Sequence, residues 1–341
     1  MAQLPSQTGP VTRPRNTRRR LLALALAGAL GVLAACGGGG GGGGGEEAEG
    51  PVTLNVGVIP IVDVAPLYLG MKKGFFKEEN LTIKPQTFAG GAEILPAVQS
   101  GDLQIGFSNT TSMLIAASKG LPVQIIAQGV QEGATESEAW TRIYVRGDSD
   151  IRSPKDLEGK TIGINTLQNI NDVMTKAALE KHGVDVSTLK FAEVPFPEAV
   201  QTLQQGDVDA VAVVEPFGTL AEESGARDII PSIYTVEPSL TVATYFTTEQ
   251  YIAQNEDVVE RFVRAMNKSL EYAANNPDEV RDTLGSYTEI PDELIDKVLL
   301  GQWSTDLNQP SIELMGQLSK KYGLIEEEPN VDELIWTPGG S

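Results

Sequence analysis

Three helix-ending glycines recur in this chain at nearly constant spacing, and that recurrence limits what it can fold into. Gly74, Gly101 and Gly120 each close an apolar-periodic segment, and Gly183, Gly206 and Gly225 do so again, at offsets of 109, 105 and 105 residues. The corner "AVQSGDLQIGFSN" (97–109) has its counterpart in "TLQQGDVDAVAVVEP" (202–216). In each copy a helix stops at Gly, an Asp turn follows, and a short apolar strand begins.

The flanking segments extend the parallel. "VTLNVGVIP", "LTIKPQTF", "LQIGF" and "PVQIIAQ" read as strands, separated by the helices "DVAPLYLGMKKG", "GAEILPAVQSG" and "NTTSMLIAASKG". From Lys160 the strands "KTIGIN", "LKFAEVP", "VDAVAVV" and "RDIIPSI" alternate with "INDVMTKAALEKHG", "PEAVQTLQQG" and "PFGTLAEESG". Alternation with short turns predicts parallel strands joined by right-handed crossovers, an open α/β sheet in each half. One doubly wound sheet with coincidental spacing is the alternative. It would be unusually wide, and it leaves the matched offsets unexplained.

After Thr248 the pattern turns helical: "EDVVERFVRAMNKSLEYAANNP", "PDELIDKVLL" and "SIELMGQLSKKYG" carry apolar residues at helical spacing. Helices appended after a second lobe are expected to pack back on the first, which demands two crossings. The β-rich segments Trp140 to Asp148 and Leu240 to Thr248 are expected to supply them. Lobe one then comprises residues 52–145 and 242–341, and lobe two residues 146–241.

The start of the chain is a separate matter. Arg13, Arg15 and Arg18 to Arg20 precede an apolar run of 15, Leu21 to Ala35. That run is short for a membrane span and has the layout of a secretory signal over residues 1–35. "LAAC" (33–36) resembles a bacterial lipobox, ending at Cys36, the one cysteine in the chain. Its thiol is the group that accepts a thioether-linked lipid, so the chain is expected outside the cell, anchored to the membrane by that lipid alone. Thr17-Arg18-Arg19 also resembles a twin-arginine export signal, which leaves the export route open.

Nine glycines, Gly37 to Gly45, then fill most of a tether over residues 36–51. They lack the strand, the helix and the Lys-Ser/Thr of a phosphate loop.

Removing the first 35 residues takes five of the 26 basic residues and no acid, leaving 21 against 46, a net charge of −25. So acidic a chain is a poor partner for nucleic acid or an anionic lipid surface. With a single cysteine it has no disulfide framework and no thiolate metal site. His182, the one histidine, ends a helix, where the dipole favours it, and no second histidine supports catalysis or a metal. No G-x-S-x-G or H-E-x-x-H pattern occurs. No cofactor, no metal and no enzymatic activity are expected.

Two α/β lobes joined twice enclose a cleft, and ligands of open α/β sheets bind at the carboxyl ends of strands. The residues at those ends are Ile61, Val62 and Asp63; Gly90 and Gly91; Ser108, Asn109 and Thr110; Asn165, Thr166, Gln168 and Asn169; Glu215 and Phe217. Gly90-Gly91 at a helix start suits an anion, or is a plain turn. Ser108, Asn109 and Thr110 bind ligand, cap a helix, or do both. Asp63 and Glu215, if both face the cleft, favour an amine or an N–H-rich ring; otherwise each is solvated or caps a helix. Trp140 and Phe217 stack on a flat ligand or pack a hinge. Arg142 and Arg146 are the nearest cations.

"VGVIPIVDVAPLYLGMKKGFFKEENLTI", "GGAEILPAVQSGDLQIGFSNTTSMLIAASKGLPV", "SPKDLEGKTIGIN" and "GDVDAVAVVEPF" resemble the solute-binding proteins of ABC importers in the nitrate/sulfonate/taurine and thiamine-pyrimidine group. The resemblance runs from Val52 to about Tyr322. It implies a type II periplasmic-binding-protein fold with two hinge strands. It also implies a monomeric receptor with a small-molecule ligand and, as partners, a membrane permease and its ATPase. Sulfonate, taurine or nitrate ligands come first on this reading, and a thiamine-pyrimidine or flavin-like aromatic second. A lipoprotein that docks on a membrane sensor is a further alternative. The group also includes fungal thiamine-pyrimidine synthases, whose start differs from this exported one.

Overall fold

The computed structural model describes residues 51–339; the expected signal, Cys36 and the glycine tether lie outside the described residues. Strand β1 (Val52–Val58) leads through a 3-10 turn, Val62–Val64, into α1 (Ala65–Lys73) and α2 (Phe75–Glu78). Then follow β2 (Leu81–Thr87), α3 (Gly91–Ser100), β3 (Ile105–Asn109), α4 (Thr110–Ser118) and β4 (Val123–Gln131). The second series is β5 (Arg142–Val145), β6 (Thr161–Ile164), α5 (Ile170–Lys181), β7 (Lys190–Glu193), α6 (Phe196–Gln205), β8 (Ala210–Val213), α7 (Phe217–Glu223), β9 (Arg227–Pro231) and α8 (Ser232–Val236). The chain closes with β10 (Thr241–Thr248), α9 (Glu249–Asn275), α10 (Pro277–Leu284), α11 (Gln309–Lys321) and α12 (Val331–Leu334).

All six recurring glycines take positive φ, between +68° and +86°, the left-handed conformation that stops a helix at little steric cost. Two five-stranded sheets result, ordered β2-β1-β3-β10-β4 and β7-β6-β8-β5-β9. In both, the first three neighbours are parallel and the fourth strand runs antiparallel to those beside it. The matched glycine spacing therefore reports two sheets of one plan.

Three expectations need correction. The sheets are mixed, because each takes in one strand from the chain returning from the other. The segments Trp140–Asp148 and Leu240–Thr248 are not themselves the crossings, since β5 and β10 lie inside the sheets. Ile143, Tyr144 and Val145 are buried, and a strand buried on both faces must pair along both edges to satisfy its backbone. The chain therefore crosses over residues 132–141 and 237–240, α8 staying packed on α5, and the change of lobe falls before Arg142 rather than after Val145. Finally, "PDELIDKVLL" forms only a 3-10 turn, Asp292–Lys297, and "RDIIPSI" divides between β9 and α8.

The terminal helices do pack on the first sheet's side: α9 against α1, α2 and β4, α10 against α1, α11 against α4, α12 against β4. Phe262 of α9 is fully buried, its ring centroid 5.7 Å from those of Phe76 and Tyr245. Phe262→Ala is expected to cost about 3–5 kcal/mol in denaturant unfolding, the usual cost of emptying an aromatic core site. A loss below about 1 kcal/mol would mean that α9 is not part of the lobe-one core.

Candidate functional site

The carboxyl ends of β1, β3, β6 and β8 converge where the two sheets face each other. Two cavities lie there. The inner one, about 30 Å³, is lined by Ile61, Asp63, Phe107 and Asn109 from one side and by Asn165, Asn169, Asn171 and Phe196 from the other, among others. The outer one, about 360 Å³, is largely apolar, with Pro60, Phe88, Pro195, Phe196, Pro197 and Phe217 in its wall. Glu93 is the one charged residue lining it. A larger groove, about 850 Å³, lies outside the cleft between the ends of α4, α11 and α12. It touches none of these strand ends, so the cleft cavities are the candidate site.

Asp63 holds the most unusual position. It is 3% exposed, and its Oδ1 has no hydrogen-bond partner. Burial pushes its carboxyl up to about 8, opposed by its own backbone N–H and assisted by the charge of Glu132. Tyr245 and Tyr287, whose hydroxyls are likewise buried and unpartnered, are raised well above the usual range, first by burial. A carboxylate at this place is short of donors.

Opposite stands an amide cluster. Asn165 Oδ1 accepts from Asn169 Nδ2 at 2.8 Å and Asn171 Nδ2 at 2.9 Å, while Asn169 Nδ2 also donates to Thr166 Oγ1 at 2.6 Å. Asn169 Oδ1 caps α5 by accepting from Asn171 N at 3.0 Å. Asn109 Oδ1 caps α4, accepting from Ser112 N at 2.9 Å, while the residue also lines the inner cavity, so it does both jobs.

The lobes touch. Val62 N donates to Glu215 O at 3.1 Å across the cleft. A methyl on Gly90 would lie 2.9 Å from Thr166 Cγ2 of the other lobe. Gly91 seats the start of α3 directly on Ser108, whose buried hydroxyl has no partner; a methyl on Gly91 would collide with it.

Other expected residues stand elsewhere. Thr110 Oγ1 is occupied, donating to Thr241 O at 2.6 Å. Gln168 is exposed, at φ +54°. Trp140 lines neither cavity: its Nε1 donates to Gln131 O at 3.0 Å, so it packs the first crossing. Glu215 is buried but turned toward α7, accepting from Thr219 N and Thr219 Oγ1, each at 3.1 Å. Burial pushes it up to about 7, opposed by those Thr219 bonds. Arg142 is held by Asp228 and by the carbonyls of Ala139 and Glu136, and Arg146 pairs with Asp148 at 3.1 Å. Neither arginine reaches a cavity lining.

Sequence reasoning missed Asn171, Phe88 and Phe196. Asn171 follows the α5 cap in "NIND", and Phe196 opens α6 just after β7, at the same kind of strand-to-helix turn that singled out the others. Phe196 stacks on Phe217, ring centroids 5.7 Å apart. Among the described residues no His/Cys/Asp/Glu group is placed to hold a metal ion.

The chain and its fold have known counterparts. The chain is 24% identical over 221 residues to a formylaminopyrimidine-binding protein of Halalkalibacterium halodurans, covering 64% of each chain. It is 23% identical over 252 residues to the taurine-binding periplasmic protein of Escherichia coli, covering 72% of this chain and 76% of the relative. Its fold is that of the alkanesulfonate-binding protein SsuA of Xanthomonas axonopodis pv. citri, solved bound to MOPS: TM-score 0.71 at 17% identity, over 85% of this chain and 99% of that one. Residues 61–280 match the family model described as NMT1/THI5 like, a stretch holding most of the residues that line the cleft, and the chain belongs to that family.

Proposed function

We propose that this protein is an extracytoplasmic, lipid-anchored receptor that captures a small solute between its lobes and delivers it to an ABC permease and its ATPase. Of the solute classes the sequence leaves open, the cleft best suits a flat heteroaromatic bearing N–H groups, a pyrimidine or a flavin-like ring. One observation carries this choice: Asp63 stands buried and unpartnered in the inner cavity, and neither cavity is lined by Lys, Arg or His. A buried carboxyl without a partner on its Oδ1 favours a ligand that brings N–H donors, because those donors stabilise its ionised form. The aromatic wall of Phe88, Phe196 and Phe217 suits a ring body.

A sulfonate, taurine or nitrate ligand is the second reading. The start of α3 at Gly90-Gly91 favours it, carrying no side-chain cap and lying beside the unpartnered hydroxyl of Ser108. The taurine-binding and alkanesulfonate-binding relatives also point that way.

A thermal-shift panel of pyrimidines, flavins, taurine, alkanesulfonates and nitrate tests the choice. A cognate ligand at a hundred times its Kd should add about 2.7 kcal/mol of stability. Response confined to the heteroaromatics supports the first reading; response confined to the anions replaces it with the second. Silence across the panel, with folded protein, removes the receptor assignment. Recovery of the ligand chemically unchanged separates a receptor from a synthase, and transport by a reconstituted permease and ATPase separates it from a sensor. For the anchor, Cys36→Ala is expected to move the protein from the membrane fraction to the soluble fraction of expressing cells. Retention of the variant on membranes would rule out lipid at Cys36 as the anchor.

A further inference from the structure

The two crossings run side by side. Glu132 N donates to Leu240 O at 2.9 Å and Ser239 N to Gly133 O at 3.3 Å, while Ser232 N, at the start of α8, donates to Thr141 O at 2.9 Å. Between them lies the carboxylate of Glu132, a fully buried residue that lines neither cavity. It accepts from Gly133 N at 2.8 Å, from Trp140 N at 3.0 Å and from the Thr141 hydroxyl. That hydroxyl in turn accepts from Ile233 N at 3.2 Å. One carboxylate thus joins both ends of the first crossing directly and, through Thr141, reaches α8, the helix that leads into the second.

A buried carboxylate is costly unless donors surround it, so a site that keeps one needs its capacity for acceptance. Here two N–H groups and a hydroxyl proton are all satisfied while the hydroxyl oxygen stays free for Ile233. A glutamine amide cannot reproduce this: with its oxygen on the two N–H groups, its NH2 faces the hydroxyl and leaves the hydroxyl proton without an acceptor.

We propose that Glu132 is the positioning residue of the hinge, clasping the first crossing to α8 at the head of the second, so that the lobes meet with Asp63, Gly90 and the Asn165–Asn169–Asn171 cluster around one cavity. It acts through the crossings and touches no ligand. The proposal concerns the lobes' own geometry and is tested without ligand, so its failure is distinct from failure of the receptor reading.

The test is amide hydrogen exchange on the full chain, followed at Val62, Ile233 and β1. Val62 N is informative because its bond to Glu215 O spans the cleft, far from the clasp in sequence. Glu132→Gln and Thr141→Val should each speed exchange at Ile233 and at Val62 at least tenfold, with β1 unchanged. The double variant should go no further than either single one, since both cut the same link. Thr141→Ser, which keeps the hydroxyl, should exchange like the unmodified protein. Unchanged exchange at Val62, or additive effects in the double variant, would overturn the proposal and reduce Glu132 to local packing. If Glu132→Gln fails to fold, the near-isosteric Thr141→Val carries the same test at the same two amides.

Discussion

Asp63→Asn is expected to weaken an N–H-bearing ligand roughly 10- to 150-fold at about pH 9, where Asp63 is ionised, the loss of a charge-assisted hydrogen bond worth about 1.5–3 kcal/mol, while making the ligand-free protein more stable at that pH. Both effects come from one burial. The folded-state pKa of Asp63 is raised to about 8, against about 3.9 in an unfolded chain. Between those values the folded protein holds a proton that the unfolded chain has released. Stability contributed by this group therefore falls as pH rises from about 4, and the loss is complete above about 8. Asparagine has no proton to lose, so the variant should lack that slope, matching the parent near pH 4 and exceeding it at pH 9. Each kcal/mol gained should appear as roughly 2–4 °C in Tm. Isothermal titration against a pyrimidine panel, together with melting curves from pH 4 to 9, measures both. A variant that binds normally and melts with the parent's pH slope would exclude Asp63 from the site.

Gly90→Leu is expected to abolish tight binding while leaving the fold intact. The backbone at Gly90, φ −167° and ψ 163°, is ordinary extended chain, open to any residue. What glycine provides is space, since Thr166 stands across the cleft where a Cβ would go. Thr166 is buried and β-branched, hence stiff, so it has little freedom to yield to a leucine. The clash exists only when the lobes meet. If the substitution leaves the closed form at 1% of the population, apparent affinity falls about 100-fold. The expected signature is lost binding by a chain that still melts cooperatively in the absence of ligand. Normal affinity would mean that ligand is held without the contact between Gly90 and Thr166.

These two positions also mark how far the sequence could be read. Local chemistry made the helix ends legible: only glycine stops a helix cheaply at positive φ, so six such stops, evenly offset, reveal two sheets of one plan. The strand-to-helix turns were legible for the same reason, and with them Asp63, Gly90, Asn109, Asn165, Asn169 and Phe217. Which of two equivalent carboxylates faces the cavity was not. Asp63 and Glu215 occupy similar turns, but Thr219 stands four residues after Glu215 and draws that side chain onto its own helix. Asp63 has no such neighbour and stays unpartnered. Arg142 shows the same limit, its charge absorbed by Asp228, 86 residues away.

Glu132 was invisible for a stronger reason. Nothing in "VQEGATESEAW" distinguishes it from the acids around it. Its bonds to residues 140 and 141 exist only once the first crossing has folded back on itself, and its reach to 233 only once α8 lies beside it. The sequence alone determined the elements, their repetition and the edge of each sheet where a ligand would sit, because those follow from backbone conformation and the spacing of apolar residues along a few turns. The tertiary structure alone decided that each sheet borrows an antiparallel strand, and which side chains meet across the cleft or clasp the hinge. Pairing and burial depend on which neighbours the chain brings together, and strands β3 and β10 pair residues up to 140 apart.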